Sequence, residues 1–263
     1  MNAISLARLK AMKKAGEKFA VLTAYDATFA RLAEVAGIEV ILVGDSLGNV
    51  CLGYKSTVPV TMADMVHHTS AVARGNSNSF IVADMPYMAY GSDDQAIANA
   101  ALLMQAGAQM VKLEGGAWLA PTILKLTERG VPVCGHLGLT PQSVDKLGGY
   151  KVQGRDKDAA QKMLDDARTL EEAGADMLVL ECVPSALGES ISNALGIPVI
   201  GIGAGKNTDA QVLVIYDILG ISAKIPKFAK NFLIETGDIA KAIAAYGKEV
   251  RAGSFPEQIH CFD

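Results

Sequence analysis

Five polar residues that can bind a metal ion or transfer a proton stand at the ends of short apolar runs in this chain. Four of them are acids and one is a histidine: Asp45, Asp84, Glu114, His136 and Glu181. A short apolar run is typical of a buried strand. Because parallel strands end at a common edge, acids at four such ends are expected to lie together, as at the active-site face of a (β/α)8 barrel.

The first three acids form a candidate metal site. Asp45, Asp84 and Glu114 end the predicted second, third and fourth strands, and neighbouring strands lie only ~4.8 Å apart. Three unpaired carboxylates would repel one another, and a hard divalent cation such as Mg²⁺ prefers oxygen ligands. The pattern therefore favours magnesium, with helix capping or pairing to arginine at the rim as the alternative.

A lysine shares the fourth strand with one of these acids. Lys112 and Glu114 are two residues apart, so both side chains are predicted to face the barrel interior. A buried lysine needs an anionic partner. That partner is a neighbouring carboxylate or a substrate, and a structural ion pair and a Schiff-base lysine both remain open.

The last two polar residues are candidates for proton transfer and substrate contact. Glu181 follows the apolar run MLVL, and such surroundings can raise a carboxyl pKa and suit a general base. His136 follows Gly135 on the predicted fifth strand. It could bind metal, hydrogen-bond a substrate oxygen or pack at the rim, and metal binding is the least favoured because three acids already supply oxygen ligands.

Alternating strands and helices over the whole chain predict βα units. The predicted strands are residues 19–23, 39–43, 79–83, 109–113, 132–135, 175–180, 198–202 and 212–218. The predicted helices are residues 26–36, 61–74, 92–107, 119–129, 158–173, 185–195 and 231–252. Apolar residues near the N-terminus predict one further helix, through Ile4, Leu6, Leu9 and Met12. Eight units without an obvious linker predict one (β/α)8 barrel domain over residues 1–263, with a doubly wound open sheet as the alternative.

Composition narrows the class of protein. The 263 residues are 50% hydrophobic with a net charge of −4, which argues against a nucleic-acid or anionic-membrane partner. No segment approaches the ~20 apolar residues that span a bilayer. The basic residues 1–18 have the charge of a transit peptide, but their apolar stripe leads into the first strand and favours a place in the fold.

The four cysteines form no CxxC pair and are expected to be buried, reduced thiols in a reducing compartment: Cys51, Cys134, Cys182 and Cys261.

Several longer motifs make the chain resemble the ketopantoate hydroxymethyltransferase family nearly end to end. The most specific are VGDSLG at 43–48, DMPY at 84–87, VKLE at 111–114, GHLGLTPQ at 135–142 and GIGAG at 201–205. None of these is a generic barrel motif. One departure is Ala210, where the family usually has glycine. Its methyl group is expected to tighten the turn between the seventh and eighth strands.

The resemblance implies a fold, an activity and roles for the residues above. The fold would be a (β/α)8 barrel with an extra N-terminal helix, of the phosphoenolpyruvate-mutase type. The activity would be hydroxymethyl transfer from 5,10-methylenetetrahydrofolate to 3-methyl-2-oxobutanoate, giving ketopantoate in pantothenate biosynthesis. Mg²⁺ would be held by Asp45, Asp84 and Glu114. Glu181 would be the base, and the keto acid would be contacted by Asp45, Ser46, Asp84, Lys112 and His136.

The same resemblance implies a cytoplasmic homodecamer with no nucleic-acid or membrane partner. Two rival classes remain at this point. A lyase or mutase of the same barrel type would share the metal acids but would usually use a cysteine on a gating loop, and only Cys51 lies near such a place. A scaffold protein would have no need for metal acids, an interior lysine and a base together.

Overall fold

Eight parallel strands close into a barrel in the computed structural model, which describes residues 3–263. The strands are β1 Phe19–Thr23, β2 Val40–Val43, β3 Phe80–Asp84, β4 Met110–Glu114, β5 Val133–Gly138, β6 Met177–Glu181, β7 Val199–Ile202 and β8 Ala210–Leu213. Each strand pairs with the next, and β1 also pairs with β8, which closes the sheet. The predicted closed barrel is confirmed, and the open-sheet alternative is wrong.

Helices surround the barrel. They are α1 Leu6–Ala15, α2 Ala27–Val35, α3 Leu47–Val50, α4 Met62–Gly75, α5 Asp93–Gln105, α6 Ala120–Thr127, α7 Val144–Leu147, α8 Lys157–Glu172, α9 Ser185–Ala194, α10 Ile215–Ile218, α11 Leu233–Thr236 and α12 Ile239–Ala252. Short 3-10 turns lie at Ala117–Leu119, Pro141–Ser143 and Gln258–His260. No helix within residues 3–263 is long and apolar enough to cross a membrane.

Local sequence explains where the longer helices begin and end. At α4, the Thr61 hydroxyl accepts from the Asp64 backbone and the Asp64 carboxylate accepts from the Thr61 backbone, a capping box with aspartate in place of the usual glutamate. Gly37, Gly107 and Gly174 follow α2, α5 and α8 with φ of 77°, 110° and 101°. Glycine tolerates this left-handed region, so each helix can turn sharply into its following strand.

The N-terminal helix closes one end of the barrel. Leu9 and Met12 of α1 are buried in the cluster of apolar side chains that fills the lumen near the N-terminal ends of the strands. Phe19, Val40 and Met110 belong to the same cluster. Lys13 adds an ion pair to Asp209, 2.6 Å away, at the start of β8. The predicted N-terminal helix is therefore confirmed as part of the fold.

Two predicted elements near the C-terminus are wrong in part. The strand predicted for residues 212–218 is β8 only as far as Leu213. There the chain turns and α10 begins, because the Ile215 backbone N–H donates to Thr23 Oγ1 and the Asp217 N–H to the Val214 carbonyl. The helix predicted for residues 231–252 is two helices, since Gly237 has φ of 64° between α11 and α12.

Two single-residue expectations also need correction. Ala210 is the first residue of β8 and packs within the lumen, so its methyl group fills the core rather than tightening a turn. Three of the cysteines are buried free thiols, as expected, but Cys51 is exposed. It lies at the end of α3 in the long loop after β2, where its Sγ is 3.6 Å from the Tyr216 hydroxyl.

Candidate active site

Charged side chains at the C-terminal ends of the strands point into the same end of the barrel lumen. Strand register places Asp84 of β3 beside Lys112 of β4, and Glu114 of β4 beside His136 of β5. All four side chains are buried, between 3% and 4% exposed. The predicted convergence of strand-end groups is thus observed. His136 lies within β5 rather than after it, because β5 continues to Gly138.

Lys112 is the centre of the buried charges. Its Nζ is 3.1 Å from Asp84 Oδ1 and 3.5 Å from Glu114 Oε1. Burial lowers the pKa of Lys112, but the negative charges of Asp84, Glu114 and Asp45 outweigh it and hold the pKa above its usual value. A lysine that keeps its proton is a poor nucleophile. The geometry therefore favours the ion-pair alternative over a Schiff base.

Asp45 and Ser46 come from the turn after β2. The Asp45 N–H donates to Asp84 Oδ2 over 3.0 Å, which places the two carboxylates side by side. Burial, and then the charges of Asp84 and Glu114, raise the pKa of Asp45 well above its usual value. Ser46 Oγ lies 2.9 Å from the buried Tyr25 hydroxyl, so Tyr25 fixes the serine. Gly44 leaves this turn open, because a Cβ there would lie 2.8 Å from Ser46 Oγ.

His136 connects the acids of β4 and β6. Its Nδ1 is 3.2 Å from Glu114 Oε1 and its Nε2 is 3.4 Å from Glu181 Oε2. Lys112 Nζ also lies 3.2 Å from Nδ1. Burial and Lys112 lower the pKa of His136, but the contacts with the Glu114 and Glu181 carboxylates raise it to about 9. An imidazolium donates from both nitrogens and can hold the two carboxylates together. Glu181 is thereby joined to the other strand-end acids.

Two residues that sequence reasoning gave no role complete this network. Gln142, from the turn after β5, donates its backbone N–H to Glu114 Oε2 over 3.0 Å and its Nε2 to Asp45 Oδ2 over 2.9 Å. Its side-chain oxygen accepts from the Tyr90 hydroxyl over 2.6 Å. The motif GHLGLTPQ contains Gln142 and was the only signal for it. Nothing local to the sequence indicates which acids it would reach.

The groups surround one cavity of about 620 Å³ at the C-terminal end of the barrel. Its lining includes every predicted site residue: Asp45, Ser46, Asp84, Lys112, Glu114, His136 and Glu181. This volume lies within the ~300–1,000 Å³ typical of small-molecule sites. Cys51, the loop cysteine that a lyase or mutase of this barrel type would use, does not line the cavity, whereas Cys182, directly after β6, does.

The chemistry of the cluster suits a divalent cation. Four carboxylates face two groups that can be cationic, Lys112 and His136, which leaves two negative charges when all are ionised. Asp84 Oδ1 is buried, and its partner in the described part of the chain is the Lys112 ammonium 3.1 Å away. However, no three His, Cys, Asp or Glu side chains within residues 3–263 are already arranged to coordinate a metal ion. Both Glu114 oxygens are engaged, one by His136 and the other by the Gln142 N–H. Both Asp84 oxygens are engaged as well, by Lys112 and the Asp45 N–H, whereas Asp45 Oδ1 accepts no hydrogen bond among the described residues and remains available to a cation.

The closed barrel and the acid-lined cavity define the class of protein, a (β/α)8 barrel with its candidate site at the C-terminal ends of the strands. The chain is similar in fold to 2,3-dimethylmalate lyase, a member of the phosphoenolpyruvate mutase and isocitrate lyase superfamily, with a TM-score of 0.59 and 16% identity over 81% of each chain. It is similar also to phosphonopyruvate hydrolase solved with oxalate and Mg²⁺, with a TM-score of 0.63 and 14% identity over 98% of this chain and 93% of that one.

Within that class, the chain belongs to the ketopantoate hydroxymethyltransferase family, whose model matches residues 3–258. It is 60% identical to 3-methyl-2-oxobutanoate hydroxymethyltransferase of Colwellia psychrerythraea over 263 residues, which is all of both chains. The family, the (β/α)8 barrel and the transferase class predicted from the motifs are confirmed.

Proposed function

We propose that this protein transfers a hydroxymethyl group from 5,10-methylenetetrahydrofolate to 3-methyl-2-oxobutanoate, giving ketopantoate and tetrahydrofolate for pantothenate biosynthesis. The observation that carries the proposal is the convergence of a lysine, a histidine and four carboxylates in one cavity. The lysine and the carboxylate pair suit binding of a small keto acid, and a further acid at the mouth suits proton removal. The name of the relative from Colwellia supports the same substrate.

Mg²⁺ is the proposed cofactor, held by Asp45, Asp84 and Glu114. An Asp45 oxygen that accepts no hydrogen bond among the described residues and the excess of carboxylates over cationic side chains support it, as does the Mg²⁺ with which the structurally similar phosphonopyruvate hydrolase was solved. When bound, the ion polarises the ketone and so acidifies the neighbouring C–H bond. Lys112, charged and buried beside Asp84, would pair with the substrate carboxylate or the enolate oxygen.

Glu181 is the proposed base. Its side chain is 13% exposed, against 1% for Glu114, so it is the acid that a bound substrate can reach from the mouth. It would take the proton from the carbon next to the ketone, while His136 holds its other oxygen. The C–C bond then forms between that carbon and the donor's one-carbon unit. Both donor C–N bonds break. Water supplies the hydroxyl group of the product and one of the two protons that the donor nitrogens need, and the proton taken up by Glu181 supplies the other.

Hydrogen exchange tests this assignment without any folate. Wild-type protein with Mg²⁺ should exchange the substrate C–H for deuterium, followed by NMR. Glu181→Gln should lower the exchange rate by ~10²–10⁴-fold, the usual contribution of a general base. Glu189→Gln, an exposed acid on α9, is the matched control and should exchange at the wild-type rate. Full exchange in Glu181→Gln would remove Glu181 as the base.

The cellular and oligomeric parts of the proposal are a cytoplasmic location and a homodecamer. The free thiols suit a reducing compartment. Val35, Ile234 and Ile259 expose most of their apolar side chains and are candidates for subunit contacts. Light scattering coupled to size-exclusion chromatography measures the mass directly, and a monomer would contradict the decamer.

A further inference from the structure

The cavity has two chemically different halves. Charged groups from β2 to β6 line one half, as described above. The other half is built by β8, by the segment after α10 and by the C-terminal residues, and it is largely apolar: Val212, Leu213, Val214, Ile225, Phe228 and Phe262. A small keto acid needs little of a cavity of about 620 Å³, since sites of ~300–1,000 Å³ hold drug-sized ligands. The apolar half is therefore available to a second, larger ligand.

Asp217 is the one carboxylate among the residues that line this apolar half. It lies on α10, just after β8, and is only 6% exposed. Ser222 Oγ donates to its Oδ1 over 2.5 Å. No other hydrogen bond and no ion pair to its side chain occurs within the described residues 3–263. Burial raises the pKa of Asp217 and the Ser222 hydroxyl lowers it, with burial the larger effect.

A carboxylate so placed is incompletely satisfied by the protein alone. Burying a charged or polar group without partners is unfavourable, so nearly every such group in a folded protein has them. Asp217 has one donor and room for more, because a carboxylate accepts at both oxygens. The residue is largely buried, but its second oxygen is open to the cavity. The fold therefore leaves an acceptor on the cavity wall to which a ligand can supply further donors.

The surrounding residues indicate the shape of that ligand. Phe228 and Phe262 both pack against Gly203 in the loop after β7, where an added Cβ would lie 3.0 Å from either ring. Aromatic walls of this kind bind flat rings. Lys224 is exposed at the edge of the same half, and Lys227 Nζ lies 5.1 Å from the Phe262 ring centre. These cations suit an anionic tail that extends towards solvent.

We propose that Asp217 binds the aminopyrimidinone edge of the pterin ring of the one-carbon donor. That edge carries two adjacent N–H donors in one plane, which is the arrangement a carboxylate binds with two parallel hydrogen bonds. The apolar wall takes the ring, and Lys224 lies where the glutamate tail would leave. The inference deepens the proposed function and depends on tetrahydrofolate being the carrier of the one-carbon unit.

The test compares two ligands on one protein and so needs no mutant to fold. Tetrahydrofolate and its 2-desamino-2-methyl analogue differ in one of the two donors, and calorimetry measures both dissociation constants. Wild-type protein should bind tetrahydrofolate roughly 10- to 100-fold more tightly, the range for a lost hydrogen bond to a charged group. Asp217→Asn should weaken tetrahydrofolate binding by at least ~10-fold and lose most of the discrimination. Equal binding of the two ligands by wild-type protein would overturn the inference.

Ser222→Ala separates recognition from a merely structural role. It removes the hydroxyl that donates to Asp217 but leaves the carboxylate, so discrimination between the ligands should persist. If Ser222→Ala and Asp217→Asn lose discrimination equally, Asp217 only holds the loop and the inference is wrong. Deuterium exchange into the keto acid needs no folate and should be unchanged in Ser222→Ala. Wild-type protein that exchanges deuterium but binds no tetrahydrofolate would refute the donor itself, and with it the proposed function.

Discussion

The two ends of the barrel lumen are built from the same strands but have opposite chemistry. On β4, Met110 lies in the apolar cluster at the closed end, while Lys112 and Glu114, two and four residues later, carry charge at the open end. The same change occurs on β3 from Val82 to Asp84 and on β6 from Val179 to Glu181. Each of these strands therefore contributes apolar core packing near its start and a side chain of the candidate site at its end.

The two ends of the lumen contribute differently to the free energy of folding. The closed end gains from apolar burial, at about 25 cal/mol per Å² removed from water. The open end buries charges that stabilise little as a set, because desolvation offsets much of their attraction. Removing one charge is still costly, since its partners are left buried and unpaired. Substitutions at the two ends should therefore differ in what they damage.

The largest effect on stability is expected from removing the positive charge of Lys112 at the open end. Lys112→Met leaves Asp84 and Glu114 without a counter-charge and should lower the free energy of unfolding by about 3–5 kcal/mol. A bound divalent cation would replace part of the lost charge, so Mg²⁺ should raise the melting temperature of Lys112→Met more than that of the wild type. Calorimetry with and without Mg²⁺ measures both. Lys125→Met, which breaks a surface pair with Asp93, should change stability by no more than ~1 kcal/mol.

The next effect tests the apolar end. Met110→Ala should lower the free energy of unfolding by about 2–5 kcal/mol, because it leaves a cavity among fully buried neighbours. The folded enzyme should still exchange deuterium into the keto acid at close to the wild-type rate. Denaturant titration and exchange by NMR give the two values. Leu102→Ala, at a half-exposed position on α5, is the control, and a lost exchange reaction in folded Met110→Ala would break the division between the two ends.

A smaller effect is expected from the support that the charged end receives from outside the strands. Gln142→Leu removes the side-chain hydrogen bond to Asp45 while keeping the size of the residue. Divalent cation affinity should fall by about 10–100-fold, the usual effect of losing a group that orients a metal ligand. Mn²⁺ titration followed by EPR measures the affinity directly. Gln161→Leu on the exposed face of α8 is the matched control, and unchanged Mn²⁺ affinity in Gln142→Leu would show that the acids need no such support.

The smallest effect concerns Ser46. Tyr25→Phe removes the hydroxyl that contacts Ser46 Oγ and should raise the KM for the keto acid by roughly 2- to 12-fold, equivalent to about 0.5–1.5 kcal/mol. The KM for the folate donor should not change, since Ser46 is proposed to contact only the keto acid. Steady-state kinetics with each substrate varied in turn separates the two. Tyr54→Phe, at an exposed position, provides the control, and an equal rise in both KM values would contradict the role given to Ser46.

Much of the fold and the membership of the site followed from local patterns. Apolar runs located seven strands and the last two residues of the eighth, and glycines after helices marked three of the turns into strands. The strand predicted past Leu213 failed because its apolar residues belong to α10, whose start depends on Thr23 from the other end of the chain. An apolar run alone cannot distinguish a strand from a buried helix.

The amino-acid sequence by itself determined which side chains face the lumen and in what order along each strand, because side-chain alternation with a period of two is a local property of the backbone. Only the tertiary structure decided which of these side chains contact one another. The register between strands put Lys112 beside Asp84 and His136 beside Glu114, and folding of the loop after β5 brought Gln142 to Asp45 across 97 positions of the chain. Register and loop placement depend on barrel closure and on packing over the whole chain, and no single segment encodes them.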